Sequence, residues 1–468
     1  MAYTEFYCNS LSGSNINAGD NRPIITSTNG NWNGSTTFTA AAGAPFTGVV
    51  AGDFASIYAD GATTTGYIAL VTNNSNDNVL TLSTSSKSGT APVAAGTGIS
   101  CTVGGKWKGP NGAVRFPFDT VTVNLSGLAG YAPRINLQNT QPYPISATFT
   151  AVNLTGITMQ GYTTTPGDLG KATLYGTATS ITLFQTTAAT TAGGVVADII
   201  FRDNGTTGGT IGTIFAGRGT KIQRCVFHGM RGFGAQVGSS SHGIVFYECE
   251  AFDCNRNNGA SSGGFDGGQT TTFINCISHN NPGSNNNGFV NANLINSIAE
   301  SNGNCGLFTT GATPGGYIIE RSDFYNNGTD GIRNAETVGA SYVIRNSNFI
   351  KNGTCGVRRT GSTAAVYDIV NCGFGTGTMA NTVANLSGSA LTHFNVVSVG
   401  YATDADPYID APNGNFGLAL AASKGTGRST FTQVSGYTST TIGYPDVGAA
   451  QTLNTSSSSS AHAYAFVS

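Results

Sequence analysis

The chain is poor in charge and has no long apolar run. Charged residues make up 9% of its 468 residues, against about 25% in an average soluble protein. Long amphipathic helices need Glu, Lys, Arg and Leu, so this composition disfavours them. A formal net charge of −2 argues against nucleic-acid binding, which needs a clustered basic surface. No apolar stretch reaches the roughly 18 residues of a membrane helix, so we expect no membrane span.

The amino-terminal residues and the cysteines lack two further signatures. The stretch "MAYTEFYCNSLSGSNINAGD" has no basic n-region and no apolar h-region, so we expect no secretory signal. The nine cysteines are an odd number and show no CxxC spacing, which disfavours both a disulfide framework and a zinc site. We therefore predict neither a metal nor a cofactor.

Glycine, small polar residues and aromatic residues are abundant instead. The chain has 66 Gly, 25 Phe and 18 Tyr, and 39% of its residues are hydrophobic, which favours a folded core over disorder. Phe, Ile, Val and Tyr alternate with other residues in short runs, and clusters of Gly, Asn and Thr interrupt these runs. Such a pattern is typical of strands and turns.

A repeat of 25 residues links "YIIERSDFYNNGTDGI" (317–332) to "YVIRNSNFIKNGTCGV" (342–357). Seven copies align on a small residue, here called the anchor: Cys225, Cys249, Cys276, Ser297, Ser322, Ser347 and Cys372. The anchors are 24, 27, 21, 25, 25 and 25 residues apart. A period of this size is typical of a solenoid, in which each unit buries its apolar face against its neighbours.

The columns of this alignment favour stacked strands over leucine-rich repeats, because periodic leucines are absent. Three residues before the anchor, every copy has a large apolar residue: Ile222, Phe246, Phe273, Leu294, Ile319, Ile344 and Ile369. The anchor is always Cys or Ser, so we expect it to point inward as a small filler without redox or catalytic use. Each period therefore predicts one coil of a parallel β-helix, with three short strands and about 4.8 Å between coils.

Asparagine recurs at two positions of the repeat. It precedes the anchor at 275, 296, 346 and 371, and it stands five residues after the anchor at 281, 302, 327 and 352. Asn tolerates left-handed backbone conformations, so both columns are predicted to form sharp turns between strands. Stacked amides can also bond to the copies above and below.

With this repeat and these asparagine columns, the chain resembles the right-handed parallel β-helix superfamily, which includes pectate-lyase-like enzymes and bacteriophage tailspikes. The Asn residues at 275, 296, 346 and 371 match the asparagine ladder of that superfamily. The resemblance covers roughly residues 115–450. It implies an all-β fold, a right-handed single-stranded parallel β-helix, and it implies little about chemistry because a fold does not fix function.

We predict three regions. Residues 1–112 do not follow the period and form an N-terminal β-rich domain for capping or attachment; residues 113–399 form the parallel β-helix; residues 400–468 form a C-terminal cap with a Ser-rich tail. Both ends need covering, because an open β-helix exposes unpaired strand edges.

The column three residues after the anchor should face outward, and it holds the candidate site. His279, Glu300 and Tyr325 stand there on successive coils. A proton donor, a carboxylate and a phenol in one row can perform acid–base cleavage or bind a sugar; the other interpretation is a solvated or interface row. Asp253 and Asp266, in the longest copy with its insert at 255–270, are further ligand-binding candidates. Glu248 and Glu250 fit ordinary surface carboxylates.

Outward apolar residues predict contacts between subunits. Two adjacent coils carry Ile274, Ile277, Ile295 and Ile298 at outward positions, and exposed apolar clusters usually mark contact surfaces. The column of Tyr317, Tyr342 and Tyr367 either extends this surface or is covered by a loop. We predict lateral packing into a homotrimer, as the resemblance to trimeric spikes implies.

The predicted function is that of a bacteriophage virion protein, a tailspike or tail fibre that recognises a host-surface glycan during adsorption. Its N-terminal segment would contact other virion proteins, and assembly would take place in the host cytoplasm, since lytic release needs no signal peptide. One alternative is a polysaccharide lyase or glycoside hydrolase on the same fold. It takes second place because the motif sets of the superfamily lyases and polygalacturonases are absent. The other alternative is a capsid decoration or head fibre protein.

Overall fold

The structure, a computed structural model, is almost entirely β. It describes the following residues: 5–8, 23–60, 67–88, 95–104, 134–145, 148–152, 158–177, 181–187, 193–203, 212–238, 241–256, 262–268, 271–311, 316–337, 339–361, 365–388, 394–403, 408–410 and 415–418. Within these ranges no helix is long and apolar enough to cross a membrane. The chain divides into two compact units: unit 1 is Met1–Val226 with Gly238–His242, and unit 2 is Phe227–Val237 with Gly243–Ser468.

Unit 1 contains a closed antiparallel barrel. After β1 (Glu5–Cys8), the barrel strands are β2 (Ile25–Trp32), β3 (Thr37–Thr39), β4 (Phe54–Ala59), β5 (Tyr67–Ser75), β6 (Val79–Ser88) and β7 (Gly96–Val103). They pair in the order β2-β3-β6-β5-β4-β7, and β7 returns to β2. Trp32, Phe38 and Ile57 lie in the apolar interior. Closure leaves the barrel without a free strand edge.

Parallel coils make up the other described part of unit 1. Their strands are β8 (Arg134–Gln138), β9 (Tyr143–Ile145), β10 (Phe149–Val152), β11 (Thr158–Tyr162), β12 (Ala172–Gly176), β13 (Phe184–Thr187), β14 (Val195–Ala197), β15 (Ile199–Arg202), β16 (Thr213–Phe215) and β17 (Lys221–Gln223). Three parallel ladders join β8-β11-β14-β17, β9-β12-β15 and β10-β13-β16. β1 pairs with β8, so this strand belongs to the coils and not to the barrel. The predicted boundary at 112 lies outside the described residues.

Unit 2 contains the regular coils that the sequence repeat predicts. Its strands are β18 (Val226–His228), β19 (Ala235–Val237), β20 (Val245–Tyr247), β21 (Glu250–Phe252), β22 (Gly263–Asp266), β23 (Thr272–Ile274), β24 (Ile277–His279), β25 (Asn287–Val290), β26 (Asn293–Ile295), β27 (Ile298–Glu300), β28 (Leu307–Thr309), β29 (Gly316–Glu320), β30 (Asp323–Tyr325), β31 (Ile332–Asn334), β32 (Ser341–Arg345), β33 (Asn348–Ile350), β34 (Cys355–Arg359), β35 (Val366–Gly375), β36 (Ala384–Ser387), β37 (Phe394–Thr403), β38 (Tyr408–Asp410) and β39 (Asn415–Leu418), with a 3-10 turn at Gly377–Met379. The predicted boundary at 399 falls within β37, and the Ser-rich tail lies outside the described residues.

Each coil of unit 2 contributes one strand to each of three parallel ladders. The first strands are β20, β23, β26, β29, β32 and β35; the second strands are β18, β21, β24, β27, β30 and β33; the third strands are β19, β22, β25, β28, β31, β34 and β36. Ile319 pairs with Ile344, and Ile344 pairs with Ile369. All three side chains are fully buried. Like residues therefore stack on like residues, and the predicted parallel β-helix is confirmed.

The anchor column is buried, as predicted. All seven anchor side chains are at most 1% exposed, and eight cysteines, those from Cys101 to Cys372, are buried and form no disulfide. In Ser322 the hydroxyl donates to the carbonyl oxygen of Glu320 at 3.0 Å, and the Cys276 thiol faces the equivalent carbonyl of Ile274 at 3.4 Å. Cys and Ser are thus interchangeable small fillers with one local hydrogen bond.

The two asparagine columns differ in backbone conformation. Amides of the first column also bond between coils, Asn296 to Asn275 at 2.7 Å and Asn371 to Asn346 at 3.2 Å. The bend between first and second strands is made by the residue before the anchor, with φ between 48° and 57°: Glu248, Asn275, Asn296, Arg321, Asn346 and Asn371. The turn predicted for the second column is wrong by one position. The left-handed residues there are Asp253, Asn280, Ser301, Asn326 and Lys351, and the asparagines that follow the last four of them are directed inward and buried.

These inward residues form a continuous ladder of amide hydrogen bonds. The side-chain amide of each residue donates to the Oδ1 atom of the next, at 2.7, 3.0, 3.0 and 2.9 Å along Asn281, Asn302, Asn327, Asn352 and Asn381. The Nδ2 atom of Asn327 also donates to the carbonyl oxygen of Ala299 at 3.0 Å. All members of the ladder are buried. Buried amides of this kind stabilise a coil only when every donor and acceptor has a partner.

The tyrosine column lies in the core, so the suggested outward surface is wrong for these residues. Tyr317, Tyr342 and Tyr367 are at most 1% exposed, and their ring centroids stack at 5.0 and 4.6 Å. Each tyrosine stands two positions before a core isoleucine, and residues two apart on a strand face the same side. The Tyr317 hydroxyl donates to the Oε1 atom of buried Glu336 at 2.6 Å.

A C-terminal hairpin, β38 paired with β39, covers part of the second-strand face. Tyr408 of β38 packs against Ile298, Tyr325 and Ile350. Its hydroxyl donates to the Oδ1 atom of Asp323 at 2.7 Å. Of the four isoleucines predicted to form a subunit contact, Ile298 is thus already buried within the chain, and the other three are half-buried.

Candidate functional site

The predicted outward row exists on the second strands of unit 2. Phe252 pairs with His279, His279 with Glu300, and Glu300 with Tyr325. A second column on the same face holds the residues two positions earlier: Glu250, Ile277, Ile298 and Asp323. The second-strand face therefore presents two parallel columns of side chains, because alternate residues of a strand share one face.

The open part of this face carries three stacked rings. The ring centroids of His228 and Phe252 are 4.3 Å apart, those of Phe252 and His279 are 5.2 Å apart, and both pairs are inclined by 20°. All three residues are half-buried. Because the rings lie against one another, the stack offers ring edges and imidazole nitrogens along a strip that spans three coils.

Two carboxylates flank the rings. The Nε2 atom of His279 donates to the Oε1 atom of Glu250 at 2.9 Å, and its Nδ1 atom accepts from the amide of Asn280 at 2.9 Å. These two bonds fix the orientation of the imidazole. Asp253 binds Arg256 and lies 3.9 Å from the Nε2 atom of His228. The side chain of Glu250 is 41% exposed, so this end of the face is accessible to a ligand.

The other end of the face is closed. Glu300 is 7% exposed and Tyr325 is 2% exposed, and the ring of Tyr408 lies edge-on to Tyr325 at 5.7 Å. Burial raises the pKa of Glu300 to about 7, and the charge of His279 opposes this rise. Glu300 therefore binds a proton more tightly than an exposed carboxyl does.

We predict that the ionisation of Glu300 makes stability fall with rising pH. Its pKa is about 7 in the folded state and near its ordinary value of 4.5 in the unfolded state, so the folded state binds more protons between these values. The contribution of protonated Glu300 is complete below pH about 4.5 and is lost as the pH rises through about 7. Denaturant unfolding of the Glu300→Gln variant across this window should lack that decline. The Glu320→Gln variant, which removes a carboxyl from a first strand, should retain it; a similar loss in both variants would contradict the assignment.

Asp266 lies on a different face from the other predicted ligand residues. It belongs to the third strand β22, accepts hydrogen bonds from the amide of Gln236 at 3.1 Å and the backbone of Gly268 at 3.2 Å, and has a pKa raised by burial. The binding loop predicted at 255–270 can be followed only in part, since 257–261 and 269–270 lie outside the described residues. Among the residues described, no group of three or more His, Cys, Asp or Glu is arranged to hold a metal ion.

Three features of the site were missed by sequence reasoning. Phe252 stands in the predicted column, but its stacking between two histidines has no signature in the repeat. Interpreting Glu250 as an ordinary surface carboxylate overlooks its bond to His279, which strand parity could have indicated. Tyr408 lies outside the repeat, and no sequence signal places it over Tyr325.

The fold and this face define a parallel β-helix protein with one outer face partly open and partly capped. No protein-family model and no curated protein matches the chain. Among solved structures, the pectate lyase Pel9A is similar over 68% of this chain and 87% of its own, at 17% identity and a TM-score of 0.50. This likeness shows the fold, a right-handed parallel β-helix of the pectate-lyase type, as predicted.

Two other solved structures are more distant. The A-module of the mannuronan C-5 epimerase AlgE4 from Azotobacter vinelandii matches 58% of this chain and 77% of its own, at 14% identity and a TM-score of 0.44. Tailspike protein 2 from an Escherichia coli O157:H7 bacteriophage matches 64% of this chain and 43% of its own, at 12% identity and a TM-score of 0.41.

Proposed function

We propose that the protein binds a polysaccharide along the open second-strand face of unit 2. The observation that carries this proposal is the stack of His228, Phe252 and His279 with Glu250 and Asp253 beside it. Apolar ring edges contact sugar C–H groups, while imidazoles and carboxylates exchange hydrogen bonds with hydroxyls. A few polar groups set around an apolar strip are typical of ligand sites, and the extended row suits an extended chain.

Phe252→Ala is expected to weaken glycan binding about tenfold, because the two imidazoles lose the ring that holds them apart and one or more sugar contacts. Affinity electrophoresis with lipopolysaccharides and capsular polysaccharides from a panel of bacterial strains measures this change. The matched control is Ile318→Ala, which removes a 50% exposed side chain from a first strand. Equal binding by wild type and both variants would contradict the proposal.

We propose further that the protein is part of a bacteriophage virion, as a homotrimeric tailspike or tail fibre that recognises a host-surface glycan. Its low charge, its long repetitive coil and its N-terminal barrel, which suits attachment to other virion proteins, support this role. Antibody labelling of purified particles in the electron microscope tests it. Label at the tail is expected, and label at the head would identify a decoration or head fibre protein instead. Light scattering should give the mass of three chains, and the mass of one chain would contradict the trimer.

The environment of Glu300 favours one second candidate, a polysaccharide lyase or glycoside hydrolase. Glu250 and Glu300 lie on either side of His279, one exposed and one buried with a pKa of about 7. Two carboxyls in such different environments suit acid–base cleavage. A hydrolase would release reducing ends, a lyase would release unsaturated uronates that absorb ultraviolet light, and Glu300→Gln would abolish either. If a glycan is bound and no product is released, the function is binding and not cleavage.

A further inference from the structure

The outer side of the third strands carries two arginines held by one buried carboxylate. Arg333 of β31 and Arg358 of β34 are register partners on adjacent coils. The Nε atom of Arg333 donates to the Oδ2 atom of Asp330 at 2.6 Å, and the Nη1 atom of Arg358 lies 3.8 Å from the same oxygen. Asp330 is fully buried, and its Oδ1 atom accepts from the backbone of Cys355 at 3.1 Å. The carboxylate is thus fixed by the coil itself.

The three charged groups of this cluster have a net positive charge. Two guanidinium groups share one carboxylate, so together they carry a charge of +1. Within the part of the chain that the structure describes, neither arginine makes another hydrogen bond or ion pair. The side chains are 18% and 32% exposed. Because Arg333 bonds through Nε, both of its Nη groups stay available, and paired guanidinium donors match the geometry of a carboxylate or phosphate.

An aromatic ring and a hydroxyl continue the same row. Phe308 of β28 pairs with Arg333, and Ser387 of β36 pairs with Arg358. Phe308 is half-buried, whereas Leu307 and Thr309 on either side of it are fully buried. The outward row therefore reads ring, guanidinium, guanidinium and hydroxyl on four successive coils, about 4.8 Å apart.

We propose that this row is a subsite for an acidic sugar residue, with the arginine pair on its carboxylate and Phe308 against its ring. The proposal rests on the glycan-binding function and adds to it the substrate class, an acidic polysaccharide. A neutral glycan leaves the guanidinium donors to water, whereas a uronate receives charge-assisted hydrogen bonds from them. The subsite lies on the third strands, so it is separate from the ring stack on the second strands.

A matched pair of probes tests the subsite: a glucuronic acid oligosaccharide, and the same oligosaccharide with its carboxyls reduced to alcohols. Isothermal titration calorimetry at constant ionic strength should show wild type binding the acidic form about tenfold more tightly. Arg358→Gln should abolish this preference, and it should fold because Arg333 still neutralises Asp330. Lys351→Gln removes the same charge from an exposed turn and should retain the preference. Phe308→Ala should weaken both forms about equally, as the ring contacts the sugar and not its charge.

Equal binding of the two oligosaccharides by wild type would overturn the proposal, and so would an equal effect of Lys351→Gln and Arg358→Gln. Inorganic phosphate that displaces the acidic oligosaccharide, together with no effect of Phe308→Ala, would identify a bare anion site and overturn the sugar assignment. The Phe252→Ala variant distinguishes a failure of the acidic subsite from a failure of the proposed glycan-binding function. If Phe252→Ala reduces polysaccharide binding while acidic and reduced probes bind alike, the glycan-binding function stands and the acidic subsite fails.

Discussion

Replacing Asn327 by alanine is expected to lower the free energy of unfolding by about 3–5 kcal/mol, since each buried polar group left without a partner costs about 1–3 kcal/mol. The amide of Asn327 donates to Asn352 and to the carbonyl of Ala299, both at 3.0 Å, and its oxygen accepts from Asn302. Alanine removes every one of these bonds in the centre of the ladder. Asn327 is 1% exposed, so bulk solvent does not reach the amide and carbonyl groups that lose their partners. Denaturant unfolding, or the unfolding rate where refolding is incomplete, measures the loss.

The neighbouring residue offers the control. Asn326 has φ of 52° and an exposed side-chain bond to Ser301. Asn326→Gly should cost no more than about 1 kcal/mol, because glycine adopts the left-handed conformation without strain. If Asn327→Ala costs no more than Asn326→Gly, the ladder does not stabilise the coils in the way its geometry indicates.

Replacing Tyr408 by alanine is expected to release the C-terminal hairpin from the second-strand face. The ring packs against Ile298, Tyr325 and Ile350, and removing a buried aromatic side chain costs about 3–5 kcal/mol. Hydrogen exchange should therefore show lost protection of the amides in β38 and β39, while the first strands keep theirs. Uncovering the face should also bring the pKa of Glu300 closer to its ordinary value, because water would then solvate its carboxyl group better.

The conservative variant Tyr408→Phe separates the ring from the hydroxyl. It retains the packing and removes one hydrogen bond to Asp323, which still accepts from the amide of Asn348 at 2.8 Å. The expected cost is about 1 kcal/mol, with hairpin protection largely retained. Unchanged exchange in the alanine variant would show that the hairpin is held by other contacts.

The coils could be predicted because, when they stack in register, each position of the repeat packs against the same position of the neighbouring copies. The column of Ile319, Ile344 and Ile369 and the column of Cys and Ser anchors both lie where the alignment predicts. The orientation of the second asparagine column was harder to predict. Asn suits both a left-handed turn and an inward ladder, and the one-position difference between Asn326 and Asn327 depends on backbone geometry.

The register of the site residues could be predicted from the sequence, but the solvent exposure of their side chains could not. Parity placed His279, Glu300 and Tyr325 in one row, and they occupy it. Their environments differ because a distant segment covers only part of the row, which leaves His279 half-buried and Tyr325 buried. Asp266 shares the longest copy with Asp253 but belongs to another strand ladder, so nearness in sequence did not bring the two carboxylates together.

The sequence by itself determined the period, the interior columns and the ladders in which the coils stack, since neighbouring copies of a repeat must satisfy the same core. Only the tertiary structure decided which outer side chains come together and which of them stay exposed. The pairing of His279 with Glu250, the capping of Tyr325 by Tyr408 and the sharing of Asp330 by two arginines all join residues whose spacing is set by backbone bends and by a segment outside the repeat. Local secondary-structure propensity does not predict such contacts, because they form only when separate coils and the C-terminal hairpin are folded together.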